Sequence, residues 1–254
     1  MAAIRTQSGA ERSEGDDLGL ESPILVEGFP GLGLVGKIAT DHLVDQLEMR
    51  YYASVHCEGL PRVGVYRDGD RTARPPVRLY VSENHDLIAL QSDVPVDADA
   101  REHVATCLTD WVVEQEATPI YLSGRPVDRE ENGPSLYGVA TGDGATVLDA
   151  HDVPTPPEDG VVTGPTGALI EQAARREYDS LGLVIGCDPQ FPDPEAASVL
   201  LREAIAPIAG LEVEVEALVD HAEEIRDQKE RLAQQMQAID EEESTQARPL
   251  RMYQ

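Results

Sequence analysis

Lysine is almost missing from this 254-residue chain, which contains only Lys37 and Lys229. Phe and Trp are equally scarce, with two and one, and aromatics make up 4 % of the chain. Twenty basic residues face 48 acidic ones, for a formal net charge of −28, and the acid is spread along the whole chain. A nucleic acid or an anionic membrane surface is therefore not an expected partner, because the phosphate interaction would be repulsive. Few lysines with many Arg, Asp, Glu and Ala is the composition of a protein living in molar salt. There the Debye length falls to about 3 Å, so neighbouring carboxylates are screened and keep the surface hydrated. A haloarchaeal cytoplasm is the expected setting; an ordinary acidic protein would instead keep its fold on dialysis to low salt.

Cysteine is also sparse. Cys57, Cys107 and Cys187 are widely separated, odd in number and without a C-x-x-C spacing. Neither a disulfide framework nor a zinc site is expected, and the three read as buried thiols. No stretch of 18 apolar residues occurs, and the polar segment from Met1 to Asp17 has no apolar h-region, so the expectation is a soluble, cytoplasmic protein. G-x-S-x-G, H-E-x-x-H and S-x-x-K are absent. The six histidines, His42, His56, His85, His103, His151 and His221, have no nucleophile or metal partner in sequence. No catalytic residue, metal or cofactor is expected.

What the chain does contain begins at Ile24-Leu25-Val26, an apolar run suited to a buried parallel strand. Val26-Glu27-Gly28-Phe29-Pro30-Gly31-Leu32-Gly33-Leu34-Val35-Gly36-Lys37 follows from it and leads into helically spaced Leu34, Ile38, Leu43, Val44 and Leu47. Gly31, Gly33 and Gly36 fit a dinucleotide fingerprint, and Gly31 to Lys37 fits the first seven positions of a phosphate-binding loop. Ile38 stands where that loop needs a magnesium-binding hydroxyl, and the nearest acid for a ribose, Glu58, falls beyond the second strand. The alternative is a tight turn allowing close helix approach, with Lys37 neutralising nearby carboxylates. Gly164, Thr166 and Gly167 at a second helix start form another anion-binding candidate, set against simple N-capping by Thr166.

Residues 1–20 read as a disordered acidic arm. Strands are expected at Tyr51 to His56, within Gly59 to Asp70, and at Pro119 to Leu122, with a hairpin of Val77–Val81 and Leu87–Leu90. A second hairpin is expected from Leu136–Thr141 and Ala145–Leu148 around Gly142-Asp143-Gly144. Helices are expected over Asp97–Glu116, Ala168–Tyr178 and Asp193–Ala209, with a strand at Leu181–Ile185 between the last two. This alternation predicts an α/β domain over 21–216, a mixed central sheet with helices on both faces. A helix over 217–243 follows, in which Leu218, Ile225, Leu232 and Ile239 recur every seven residues, with Lys229 and Met236 among the alternate seam positions. It either pairs subunits in a short coiled coil or lies on its own domain. Residues 244–254 form an expected flexible tail ending Met252-Tyr253-Gln254, an apolar residue, a tyrosine and a free carboxylate that a small socket can capture.

Three spaced segments, Ile24 to Lys37, Thr163-Gly-Pro-Thr-Gly-Ala-Leu-Ile170 and Pro192-Asp193-Pro194-Glu195-Ala196-Ala197, resemble the proteasome assembly chaperone 2 family over about Glu21 to Glu242. The resemblance implies a core similar to nucleoside phosphorylases, no catalysis, and homo-oligomers. It also implies that a hydrophobic-Tyr-any tail, here Met252, Tyr253 and Gln254, docks into pockets between α subunits of the 20S proteasome. In that reading Met252 and Tyr253 fill the pocket and the Gln254 carboxylate meets a lysine. The expected function is an ATP-independent assembly chaperone or adaptor. The alternatives are a nucleoside- or dinucleotide-binding enzyme using the two glycine loops, and a structural oligomer with an incidental tail.

Overall fold

A computed structural model of the chain describes residues 3–6, 19–67, 69–127 and 133–220. The apolar run of β2 (Ile24–Gly28) is a central parallel strand, as its two-sided burial requires. It feeds a 3-10 turn (Leu32–Leu34) and α1 (Val35–Gln46). The chain continues through β3 (Arg50–His56), β4 (Val77–Ser82), β5 (Leu87–Ser92), α2 (Arg101–Glu114) and β6 (Thr118–Pro126). Then come β7 (Leu136–Thr141), α3 (Gly144–Ala150), α4 (Gly164–Arg175) and β8 (Ser180–Cys187). α5 (Pro194–Leu200) runs through a π turn (Leu201–Ile205) into α6 (Ala206–Ala209).

The eight strands of the described residues form one mixed sheet in the order β1-β3-β4-β5-β2-β6-β8-β7. β5, β2, β6 and β8 are parallel, while β4, β3 and β7 run antiparallel to their neighbours. The connection through α1 leaves β2 toward one edge, and the connection through α2 returns past it to the other, so the C-terminal end of β2 is a topological switch point. Two cores sandwich the sheet. One face packs Val35, Ala39 and Leu43 of α1 with Leu200, Leu201 and Ile205 of the α5–α6 rod. The other packs Val104 and Leu108 of α2 with Leu169 and Ala173 of α4. Helices therefore cover both faces, as the alternation of apolar segments predicts.

Several expectations are corrected. Ala3–Thr6, placed in a disordered arm by composition, form β1, antiparallel to β3 with Ala3 opposite His56 and Thr6 opposite Ala53. Ala145–Leu148 are not the second strand of a hairpin but part of α3; β7 pairs instead with β8, and the Asp179 carboxylate accepts from the Asp143 amide (2.7 Å) where the turn was expected to reverse the chain. Among the described residues of 59–70 no strand forms, and an isolated bridge joins Val65 to Arg74. Cys57 and Cys107 are not thiols: they are joined in a disulfide, Cα atoms 6.0 Å apart, that ties the end of β3 to α2. Cys187 is buried, as expected. Leu218 is 6 % exposed and packs with Leu211 and Val215 in the α1-side core. The other seam residues, Ile225, Lys229, Leu232, Met236 and Ile239, and the tail Met252, Tyr253 and Gln254, lie outside the described residues. Among the described residues no helix is long and apolar enough to cross a membrane.

Candidate functional site

The segments singled out in the sequence converge on the switch point. Gly31 caps the 3-10 turn, and Gly33 takes a φ of +62°, open to glycine at little cost. A Cβ on Gly33 would lie 2.9 Å from Cys187 Sγ, so the loop is held against β8. The Asp193 amide donates to the Gly33 carbonyl (2.8 Å), which brings the Pro192-Asp193-Pro194 segment onto the same loop. Asp193 in turn caps α5, its carboxylate accepting from the amides of Ala196 (3.0 Å) and Asp188 (2.8 Å). Gly36 faces β6, where a Cβ would stand 3.2 Å from Leu122 Cβ and 3.5 Å from the Glu27 carbonyl. Gly36→Leu should push α1 off β6 and destabilise by about 1 to 3 kcal/mol, an overpacking cost measurable by urea unfolding.

Lys37 does not stand open to a phosphate. Its Nζ donates to Asp41 (2.8 Å) and Asp93 (3.2 Å), so an incoming anion would displace two carboxylates. Asp93, beyond the end of β5, is also gripped by Arg67 (2.8 Å) and Arg78 (2.5 Å). Burial pushes the Asp93 carboxyl up, but the Arg78 hydrogen bond and charge, with Lys37, outweigh it and hold the group below its ordinary range.

The second loop approaches the same place from the opposite face. Gly164 is the first residue of α4 and Gly167 sits against the Val162 carbonyl. Thr166 is not the N-cap; Thr163 holds that position, and Thr166 lies inside the first turn with its hydroxyl turned inward. It donates to Glu27 Oε2 (3.1 Å), with the Leu122 carbonyl 3.3 Å away as an alternative acceptor.

Glu27 is the residue that sequence reasoning passed over. It is fully buried, pointing under α4 from the last turn of the pleat in β2. Its Oε1 accepts from the Phe29 amide (2.6 Å) and its Oε2 from the Leu122 amide (3.2 Å). Pairing of β2 with β6 ends at Val26 opposite Ile120, and beyond it the glycine loop lies against β6, where a Cβ on Gly124 would stand 2.5 Å from the Leu32 carbonyl. The carboxylate takes over the backbone donors that the broken ladder would leave unpaired. Burial pushes its carboxyl up strongly, against the opposing hydrogen bonds of Phe29, Leu122 and Thr166, to about 7. The available signal was a lone acid inside Ile24-Leu25-Val26-Glu27-Gly28, an otherwise apolar strand.

The result is a three-layer α/β domain in which Lys37, Glu27 and Thr166 at the switch point are all bonded to other residues of the chain. No group of three or more His, Cys, Asp or Glu able to hold a metal occurs among the described residues. The PAC2 family model matches residues 25–233, and the chain belongs to that family. An uncharacterised protein of Methanocaldococcus jannaschii is 28 % identical over 216 residues, covering 85 % of this chain and 87 % of that one. Among solved structures, Pyrococcus furiosus PbaA, described as an archaeal homolog of proteasome-assembly chaperone, superposes with a TM-score of 0.74 at 25 % identity, covering 89 % of this chain and 94 % of its own. P. furiosus PbaB, described as an archaeal proteasome activator, gives a TM-score of 0.74 at 22 % identity, covering 91 % and 98 %; at that identity it speaks for the fold alone.

Proposed function

We propose that this chain is an ATP-independent, non-enzymatic assembly chaperone or adaptor of the 20S proteasome, acting as a homo-oligomer in a salt-rich cytoplasm. The observation that carries the reading is the likeness to PbaA over nearly the whole domain, joined to a chain end that reads Met252-Tyr253-Gln254. In this reading Met252 and Tyr253 enter a pocket between α subunits and the terminal carboxylate of Gln254 pairs with a lysine there. Leu218 packs in the domain's own core, and the heptad residues beyond it, Ile225 to Ile239, associate subunits, so that several tails act together. Linked tails gain effective concentration, and avidity rises even where each tail binds weakly.

The nucleoside or dinucleotide reading of the glycine loops is disfavoured by the two carboxylates on Lys37 and by Ile38. Deleting Met252 to Gln254, or Tyr253→Ala, is expected to abolish co-purification with 20S particles from native lysate in molar salt, while circular dichroism and melting stay those of the full chain. Undiminished capture by the truncated, folded protein would overturn the proposal.

A further inference from the structure

One loop runs against the acidic character of the chain, the segment that joins β3 to β4. Five of the 20 basic residues, Arg62, Arg67, Arg71, Arg74 and Arg78, fall within 59–78, with two of the 48 acidic ones. Two large apolar side chains are exposed on the same loop, Val63 at 49 % and Tyr66 at 80 %. Tyrosine and arginine are enriched, and acids depleted, at the centres of protein interfaces.

The loop is fastened from within. Cys57, just before it, is bridged to Cys107 of α2. Val65 and Arg74 exchange backbone hydrogen bonds (2.8 Å each), the Asp70 amide donates to the Arg67 carbonyl (3.2 Å), and the Asp70 carboxylate accepts from the Thr72 amide (2.8 Å). Arg67 pairs with Asp93 (2.8 Å), Arg74 pairs with Asp70 (3.0 Å), and Arg78 is buried, so these three arginines hold the loop in place. Arg62 and Arg71 differ: both are exposed, and neither has an ion pair among the described residues. A backbone fixed before contact loses little entropy on binding, which favours such a loop as a docking surface.

Beside the loop lies a groove of about 540 Å³, bordered by Pro61, Val63, Pro75 and Pro76, with Arg62 and Glu58 as its charged lining residues. It is large enough for an apolar side chain and the backbone around it. A simple anion would pair with the arginines and leave the apolar wall and the Tyr66 ring in water. A nucleic acid would find in Arg62 and Arg71 too few phosphate contacts to survive salt. A segment that carries both carboxylates and an apolar side chain satisfies every part of the surface. The net charge of −28 repels such a segment in dilute buffer, but in molar salt the Debye length is about 3 Å, so distant acids are screened and the contacts at the loop decide.

We propose that this loop and groove dock an acidic segment of a partner protein, an extended stretch in which apolar side chains lie between carboxylates. An apolar side chain enters the groove, Tyr66 packs along the segment, and the flanking carboxylates accept from Arg62 and Arg71. The surface uses none of the C-terminal tail and does not depend on the proteasome reading.

Fluorescence anisotropy on the full chain in molar KCl tests it, with a dye-labelled peptide acetyl-Glu-Glu-Leu-Phe-Asp-Glu-amide, about 20 Å long when extended. One comparison peptide carries Gln and Asn in place of the acids, and another carries Ala in place of Leu and Phe. The first peptide is expected to bind about tenfold tighter than either, as for one charge-assisted hydrogen bond or one apolar side chain lost. Arg62→Gln/Arg71→Gln should erase its preference over the Gln/Asn peptide, and Tyr66→Ser should weaken both. All three side chains are exposed, so the melts of these variants should match the wild type. Equal binding of the three peptides, none of any at millimolar protein, or undiminished binding to the folded variants would overturn the proposal. Self-association in sedimentation that the double arginine variant abolishes would overturn it too, by assigning the loop to a second copy of the chain.

Discussion

Glu27→Gln should flatten the pH dependence of stability between about pH 4.5 and 7. The Glu27 carboxyl is raised from an ordinary 4.5 to about 7 by burial, so the folded state holds its proton where the unfolded chain has lost it. The stabilisation this gives is fully present below the unfolded value and is lost as pH rises through the folded one. A shift of this size corresponds to about 3 kcal/mol between acid and mildly alkaline solution. Glutamine cannot ionise. Urea unfolding at pH 4.5, 6 and 8 should therefore show the difference between variant and wild type moving by about that amount in the variant's favour as pH rises. Parallel curves would refute the burial argument.

Glu27→Leu tests the other half of the account, the acceptor role. Thr166 can turn its hydroxyl to the Leu122 carbonyl, but the amides of Phe29 and Leu122 would be orphaned in the interior. At about 1 to 3 kcal/mol for each buried donor, the loss should be about 2 to 6 kcal/mol in acid, and, since leucine cannot ionise either, about 3 kcal/mol less in mildly alkaline solution. Glutamine keeps one acceptor oxygen and should lose less.

Reduction of Cys57–Cys107 should have an effect of similar size. The bond closes a loop with a sequence separation of 50 residues, for which loop-closure entropy gives about 4 kcal/mol. For a chain of this size that is a fall in Tm of about 10 °C. Melting with and without reductant, and of Cys57→Ser/Cys107→Ser, should show it. Two fewer thiols should titrate in the denatured unreduced protein than in the reduced one. Identical melts, with equal thiol counts in both states, would show that the bridge does not form. The bridge also anchors the base of the loop that carries Arg67 and Arg74 to Asp93 and Asp70, so reduction should loosen that loop before the parallel core.

The long periodic segments were readable because burial imposes their period directly. Ile24 to Val26, the Val77–Leu90 hairpin and the α2 face follow the expectation closely, while the buried face of α1 keeps Leu43 and Val44 but takes Val35 and Ala39 in place of Leu34 and Ile38. The failures share a cause, which is a partner distant in sequence. Gly142-Asp143-Gly144 looks like a hairpin turn, but β7 finds β8 some forty residues on, and the freed segment Gly144–Ala150 coils into a helix. Thr166 looks like a cap until α4 is laid over Glu27, when its hydroxyl becomes a donor to that carboxylate. Cys57 and Cys107 carry no local spacing signal, because only the packing of α2 on the sheet brings them together.

The amino-acid sequence by itself determined the α/β alternation, the acidic surface, the family segments and the glycine turn, because each depends on local periodicity, composition or backbone sterics. It did not determine what those segments surround. The buried carboxylate of Glu27, the capture of Lys37 by Asp41 and Asp93, and the disulfide were decided only by the tertiary structure. A side chain's charge state and partners are set by the dielectric and by the donors around it, and those come from strands and helices far apart in the chain.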